Sequence, residues 1–159
     1  MNSIELRKIR SRKQKELCAR WQVASDPWKT LGASYERCLE GFSDRNKFCF
    51  LIRFENKPIG FLILIKQGVL RGYIATIFIA PEYQGKGFGS QVIAFAEKEL
   101  FKEFPNVFLC VSSFNKKAEK LYRRLGYSRI GILKDFFVSG YDEAILRKSR
   151  GPISSYRKK

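Results

Sequence analysis

Spacing of apolar positions divides the chain into a run of short elements, with no internal repeat and no linker. Residues 4–9 alternate and predict a first strand. Ser11 then caps a helix with Leu17, Cys18 and Trp21 on one face, broken at Asp26-Pro27-Trp28. Ser34 opens a short helix to about residue 39. Residues 48–54 read as a strand, Glu55-Asn56-Lys57 as a hairpin turn, and residues 58–66 as its antiparallel return. A fourth strand covers residues 71–79 and stops at Ala80-Pro81. Val92, Ile93, Ala96, Leu100 and Phe104 recur at helical spacing, so a long helix is expected over residues 87–104, stopped by Pro105-Asn106. Residues 107–111 suit a buried strand. Residues 115–125 predict a helix with Ala118, Leu121, Tyr122 and Leu125 inward, stopped by Gly126. Residues 127–134 and 141–148 close the pattern as a strand pair. These are about seven strands with interspersed helices: an α+β chain, a mixed sheet with helices on both faces. One domain is expected over residues 1–148, with a polar, basic and loose tail at 149–159. The strand–helix–strand unit over residues 71–111 calls for parallel strands joined by a right-handed crossover.

Composition narrows the chemistry. Of 159 residues, 45% are hydrophobic and 14% aromatic, which supplies a core and excludes a wholly disordered chain. Histidine is absent, so imidazole bases, His-ligated metals and His-activated nucleophiles are excluded. Proton chemistry falls to Tyr, Cys, Lys, carboxylates, backbone or water. Cys18, Cys38, Cys49 and Cys110 form no C-x-x-C pair, so no metal is expected and the thiols read as core filler. The first ten residues have no signal-peptide pattern, and the densest apolar run, residues 59–65, is too short to cross a bilayer. The expectation is a cytoplasmic protein with reduced thiols and no membrane partner.

The segment from Ile77 to Ser90 joins a β-rich run to an amphipathic helix. Gly85, Gly87 and Gly89 alternate at the helix start, uncovering backbone N–H groups for an anion. The helix dipole and Lys86 add positive charge there. A Walker loop is absent, and the glycines run G-x-G-x-G rather than G-x-G-x-x-G. A third pattern, Q-x-x-G-x-G, is satisfied by Gln84, Gly87 and Gly89. Taken alone, the segment also fits a plain glycine-rich turn.

A second motif follows about 30 residues on: Asn115, Ala118, Leu121, Tyr122, Leu125, Gly126 and Tyr127 in N-x-x-A-x-x-L-Y-x-x-L-G-Y. Together the two resemble the GNAT superfamily of acetyl-coenzyme A-dependent acetyltransferases, over residues 71–148 by motif and over the first 70 by element order. Residues 135–144 resemble the protein N-terminal (ribosomal-protein alanine) acetyltransferase branch. The resemblance implies the GNAT fold, with the fourth and fifth strands splayed around the pantetheine arm. It implies backbone contacts to acetyl-coenzyme A from Ile77, Phe78 and Ile79, and acetyl-coenzyme A binding along Gln84, Gly85, Lys86, Gly87, Phe88, Gly89 and Ser90, with the pyrophosphate on residues 85–90. Asn115 matches a cofactor-contacting position, and Tyr122 matches the acid that protonates the leaving thiolate. Acetyl transfer to the amine would then be direct, with the Ile79 N–H stabilising the oxyanion.

The base does not match. Where relatives carry a Glu early on the fourth strand, this chain has Tyr73; where the N-terminal acetyltransferase branch has one on the fifth, it has Cys110. Asp26, Glu36, Asp135 or ordered water are the candidate substitutes. An α-amine of pKa ~7.8 is roughly 14% neutral at pH 7, against about 0.04% for a lysine of ~10.4. A site without a carboxylate therefore favours a peptide N-terminus or a small amine of low pKa. The 31 basic against 15 acidic residues give +16, concentrated at residues 7–20 and 147–159. That charge suits coenzyme A phosphates and disfavours polyamines. It also leaves open an acidic macromolecular partner, ribosome or nucleic acid, and an alternative in which the chain is a basic binding module with little catalysis.

Overall fold

The computed structural model describes residues 3–156. Thirteen elements follow in the order β1 (Glu5–Lys8), α1 (Arg12–Ala24), α2 (Tyr35–Gly41), β2 (Lys47–Phe54), β3 (Lys57–Ile65), β4 (Tyr73–Ile79), a 3₁₀ turn (Pro81–Tyr83), α3 (Phe88–Leu100), β5 (Asn106–Ser112), α4 (Lys116–Arg124), β6 (Ser128–Val138), β7 (Tyr141–Ser149) and a second 3₁₀ turn (Ile153–Ser155). The strands make one seven-stranded sheet in the order β1-β2-β3-β4-β5-β7-β6. All neighbours are antiparallel except β4 and β5, the pair joined through α3.

Local chemistry sets most boundaries. Ser11 accepts from the Gln14 N–H and Gln14 answers to the Ser11 N–H, a capping box that starts α1. Glu55 and Asn56 take positive φ values of 49° and 63°, the conformation a two-residue hairpin demands between β2 and β3. The helix expected to reach residue 104 stops at Leu100. Its last turn is satisfied by Phe101 N–H to Glu97 O and Phe104 N–H to Leu100 O, and the chain turns toward β5.

The sheet has a core on each face. Phe88, Val92, Ile93, Ala96 and Leu100 of α3, with Ala118, Leu121, Tyr122 and Leu125 beside them, cover one face. Cys18, Ala19, Cys38 and Phe42 from the α1–α2 side cover the other, over Leu51, Phe61, Ile63 and Phe78. Three of the cysteines belong to this second core; Cys110 does not. Burial pushes the Cys18 and Cys49 thiols up to about 12 and about 11, which leaves them inert.

The tail expected to be loose is held through Tyr156. The Arg150 N–H donates to the Pro105 carbonyl at 2.8 Å, its guanidinium lies 4.0 Å over the Phe101 ring, and the Tyr156 hydroxyl donates to the Phe101 carbonyl. Residues 157–159 lie outside the described residues. Among the described residues no helix is long and apolar enough to cross a membrane.

Candidate functional site

The site begins with a break in the sheet. Ile63 pairs with Thr76 but Leu64 pairs with Ile74, so Ala75 is an extra residue in β4. A bulge of this kind bends its strand and increases the local twist. On the other side, β4 pairs with β5 only at Tyr73–Phe108 and Ile74–Leu109, the last rungs before the bulge. Beyond it the strands part, and residues 76–79 keep their β3 partners while their other edge has no strand partner. Ile77, Phe78 and Ile79 lie on that edge. The Phe78 side chain is buried in the α1–α2 core, so only its backbone is available to a ligand.

The opening leads into a cavity of about 410 Å³ that reaches both faces of the sheet. Asn115, Ala118 and Tyr122 line it from the α4 side, and Trp28, Arg37 and Lys47 from the α1–α2 side. Tyr122 packs against the core through Tyr127, ring centroids 6.0 Å apart. Burial pushes its hydroxyl up to about 12, so it holds its proton at neutral pH. Asn115 caps α4, its side chain accepting from the Ala118 N–H at 3.3 Å.

The glycine-rich loop adjoins the free end of β4. Tyr83 and Phe88 both pack on Phe54 and anchor the loop at either end. Gln84 turns its amide inward, donating to the Ile79 carbonyl at 2.9 Å, so this side chain fastens the loop to β4. Gly85 and Gly87 have φ of +77° and +82°, and a Cβ at either would meet nothing within 4 Å. Gly87 is the N-cap of α3 and brings no side-chain cap. The first amides of α3 therefore have no side-chain cap and stand beside open space, the arrangement in which a helix start can bind an anion. Lys86 is exposed beside it, 5.4 Å over the Tyr83 ring. Gly89 has a second use: a Cβ there would stand 3.2 Å from Leu121 Cδ2, so it lets α3 and α4 approach. Ser90 follows in the first turn.

The carboxylate at the cavity differs from those the sequence suggested. Asp26 is exposed and bonded to Thr30, while Glu36 and Asp135 are exposed; none of them lines the cavity. The carboxylate that does is Glu143 on β7, 3% exposed and directly opposite Ser112 in the β5–β7 register. The Ser112 hydroxyl donates to Glu143 Oε1. Burial raises the Glu143 carboxyl above its ordinary range, and the Ser112 hydrogen bond opposes that rise. Tyr73 and Cys110 also line the cavity, close enough to perturb one another. Burial raises the Cys110 thiol as well, so it is no thiolate. One sequence signal pointed to Glu143: Ala144 and Leu146 of β7 face the core under α3, so alternation turns Glu143 to the opposite face with Tyr73, Cys110 and Ser112.

Residues 13–127 match the family model described as acetyltransferase (GNAT) family. The N-alpha-acetyltransferase MAK3 of Arabidopsis thaliana is 33% identical over 101 residues, 60% of this chain and 53% of that protein. The chain thus spans about half the length of that relative. The N-alpha-acetyltransferase RimI of Mycobacterium tuberculosis is 30% identical over 145 residues, 87% of this chain and 86% of its own. Among solved structures, the spermidine N-acetyltransferase of Vibrio cholerae in complex with CoA and spermine superposes with a TM-score of 0.73 at 22% identity, covering 92% of this chain and 95% of that one. That likeness shows the fold.

Proposed function

The chain belongs to the acetyltransferase (GNAT) family, and from that premise we propose that it transfers an acetyl group from acetyl-coenzyme A directly to a primary amine. One observation carries the reading: the unpaired edge of β4 borders a cavity that reaches Tyr122, and the uncapped, glycine-lined start of α3 follows that strand, fastened to its end by Gln84. Main-chain amides at residues 85–90 and Lys86 would hold the pyrophosphate, and the β4 backbone at Ile77, Phe78 and Ile79 would pair with the pantetheine amides. Asn115 borders the same cavity and completes this wall. Tyr122, protonated at neutral pH, donates to the departing sulfur. Holding thioester and amine in one cleft supplies the rest of the rate.

The acceptor we infer is a monoamine, a peptide N-terminus first and a small amine second. Arg37 and Lys47 stand on the acceptor side of the cavity, and a second cationic group would meet them. The N-alpha-acetyltransferases among the relatives support the same choice. Four free thiols suit a reducing cytoplasm. The alternative of a basic module with little catalysis leaves the buried acid groups of the cavity without a use. The test is thiol release from acetyl-coenzyme A with a panel of amines, products identified by mass spectrometry. Peptides with free N-termini are expected to be acetylated faster than spermidine at equal concentration. A faster reaction with spermidine overturns the acceptor assignment, and no thiol release with any amine overturns the activity.

A further inference from the structure

We propose that Glu143 is the general base of the acetyl transfer, delivered from β7 to the place that Tyr73 and Cys110 leave without a carboxylate. The inference rests on the acetyltransferase reading above and goes further by naming the group that takes the amine's proton.

Register and charge carry it. Tyr73 on β4 and Cys110 on β5 line the same cavity as Glu143, which lies near enough to perturb both electrostatically. Glu143 enters this group because β7 runs antiparallel to β5 with Ser112 opposite Glu143 and Ala144 opposite Val111. Its neighbour on the outer side is Leu133 of β6, which brings no charge. Among the described residues it is the only carboxylate lining the cavity. The charged groups across from it are Arg37 of α2 and Lys47 of β2, both cationic. An acceptor amine arriving as an ammonium ion thus meets one anion, at the end of the cavity nearest β5. Ser112 spends one hydrogen bond on Oε1, which fixes the carboxylate. Carboxylates are seldom buried without a cation beside them, and the hydrogen-bond partner of Glu143 is the Ser112 hydroxyl. A carboxylate held in this way suits an acceptor that arrives as a cation.

The proton balance closes with groups already present. The ammonium gives one proton to the Glu143 carboxylate, and the freed lone pair forms the C–N bond to the thioester carbonyl carbon. The C–S bond breaks with its electron pair on sulfur, which takes the Tyr122 proton. The second proton lost by nitrogen restores Tyr122, and Glu143 returns its own to solvent. The sum is ammonium plus thioester giving amide, thiol and one proton. Burial makes Glu143 a stronger base than an exposed carboxylate.

Glu143→Gln keeps the shape and an acceptor for Ser112 while removing the base. With an N-terminal peptide at pH 7, kcat/KM is expected to fall by ~10²-fold, with coenzyme A affinity by calorimetry unchanged. In the wild type, the acidic limb of kcat/KM against pH should be common to acceptors of different pKa. It should vanish in Glu143→Gln and return, shifted, in Glu143→Asp. The penalty should also be larger for an acceptor amine of pKa ~10.4 than for one of ~7.8, which is already part neutral at pH 7. Unchanged kcat/KM and an unchanged acidic limb in Glu143→Gln overturn the assignment while leaving the acetyltransferase reading intact. Failure of the wild type to bind coenzyme A overturns that reading and this one with it.

Discussion

Gly60 sits in β3 opposite Ile79, at the end of β4 that adjoins the glycine-rich loop. A Cβ at Gly60 would lie 2.1 Å from the Phe78 carbonyl oxygen, 3.0 Å from its carbonyl carbon and 3.1 Å from Ile79 Cα. Ordinary contact begins at 3.4 Å, so the nearest atom must retreat by about 1.3 Å, and it is backbone. No rotamer relieves the clash. Relief requires β3 and β4 to separate where strands otherwise stand about 4.8 Å apart. Overpacking typically costs 1–3 kcal/mol, and a clash against main chain belongs at the upper end. We expect Gly60→Ala to lose about 3 kcal/mol. At 2–4 °C per kcal/mol for a chain of this size, Tm drops by roughly 6–12 °C. The same displacement moves the free edge of β4, so coenzyme A affinity should fall by ~10-fold or more. A control is Gly131→Ala, where a Cβ meets Ile145 Cδ1 at an ordinary 3.8 Å and Tm should hold within about 2 °C. Thermal denaturation and calorimetric titration of both variants check the reasoning. A Gly60→Ala protein with the wild-type Tm and affinity would refute the claim that β3 backbone packing fixes this edge.

Four further outcomes follow from the site and its frame. Tyr122→Phe keeps the ring against Tyr127 and loses the proton, so kcat should fall by ~10²-fold with coenzyme A affinity kept, as steady-state kinetics will register. Gly87→Val forces a β-branched residue to φ +82° and fills the open space there, so coenzyme A affinity should drop by ~10-fold or more in a protein that still folds. Glu143→Gln should be more stable than the wild type at pH 7. A folded-state pKa raised by burial means that the native protein loses stability as pH rises above the ordinary carboxyl value, so the gap should close below about pH 4.3 in melts across the pH range. Tyr156→Phe removes the hydroxyl that binds the Phe101 carbonyl and should cost about 1 kcal/mol by denaturant titration.

What was legible in the sequence is what residues close in the chain decide among themselves. The Ser11 cap, the turn at Glu55-Asn56 and the glycines at 85 and 87 each act within a few residues of the chain. Their chemistry does not wait for the rest of the fold. The two motifs that carry the family were read from such local patterns, and so was Tyr122 on the inward face of α4. The tertiary structure decided the rest. Ala75 becomes a bulge only against the register of β3, and the sheet opens only because β5 pairs with two residues of β4 before the bend. The docking of Tyr156 on Phe101 depends on a contact between residues 55 apart in the chain. The base shows the difference most directly. From sequence, Tyr73 and Cys110 were two positions without a carboxylate, and that absence favoured an acceptor of low pKa. The fold puts Glu143 beside them through a cross-strand pair separated by 31 residues from Ser112, so that argument loses its premise. Strand alternation fixes which face a residue takes, but which strand lies next to it is a property of sheet order, and sheet order is set by packing across the whole chain.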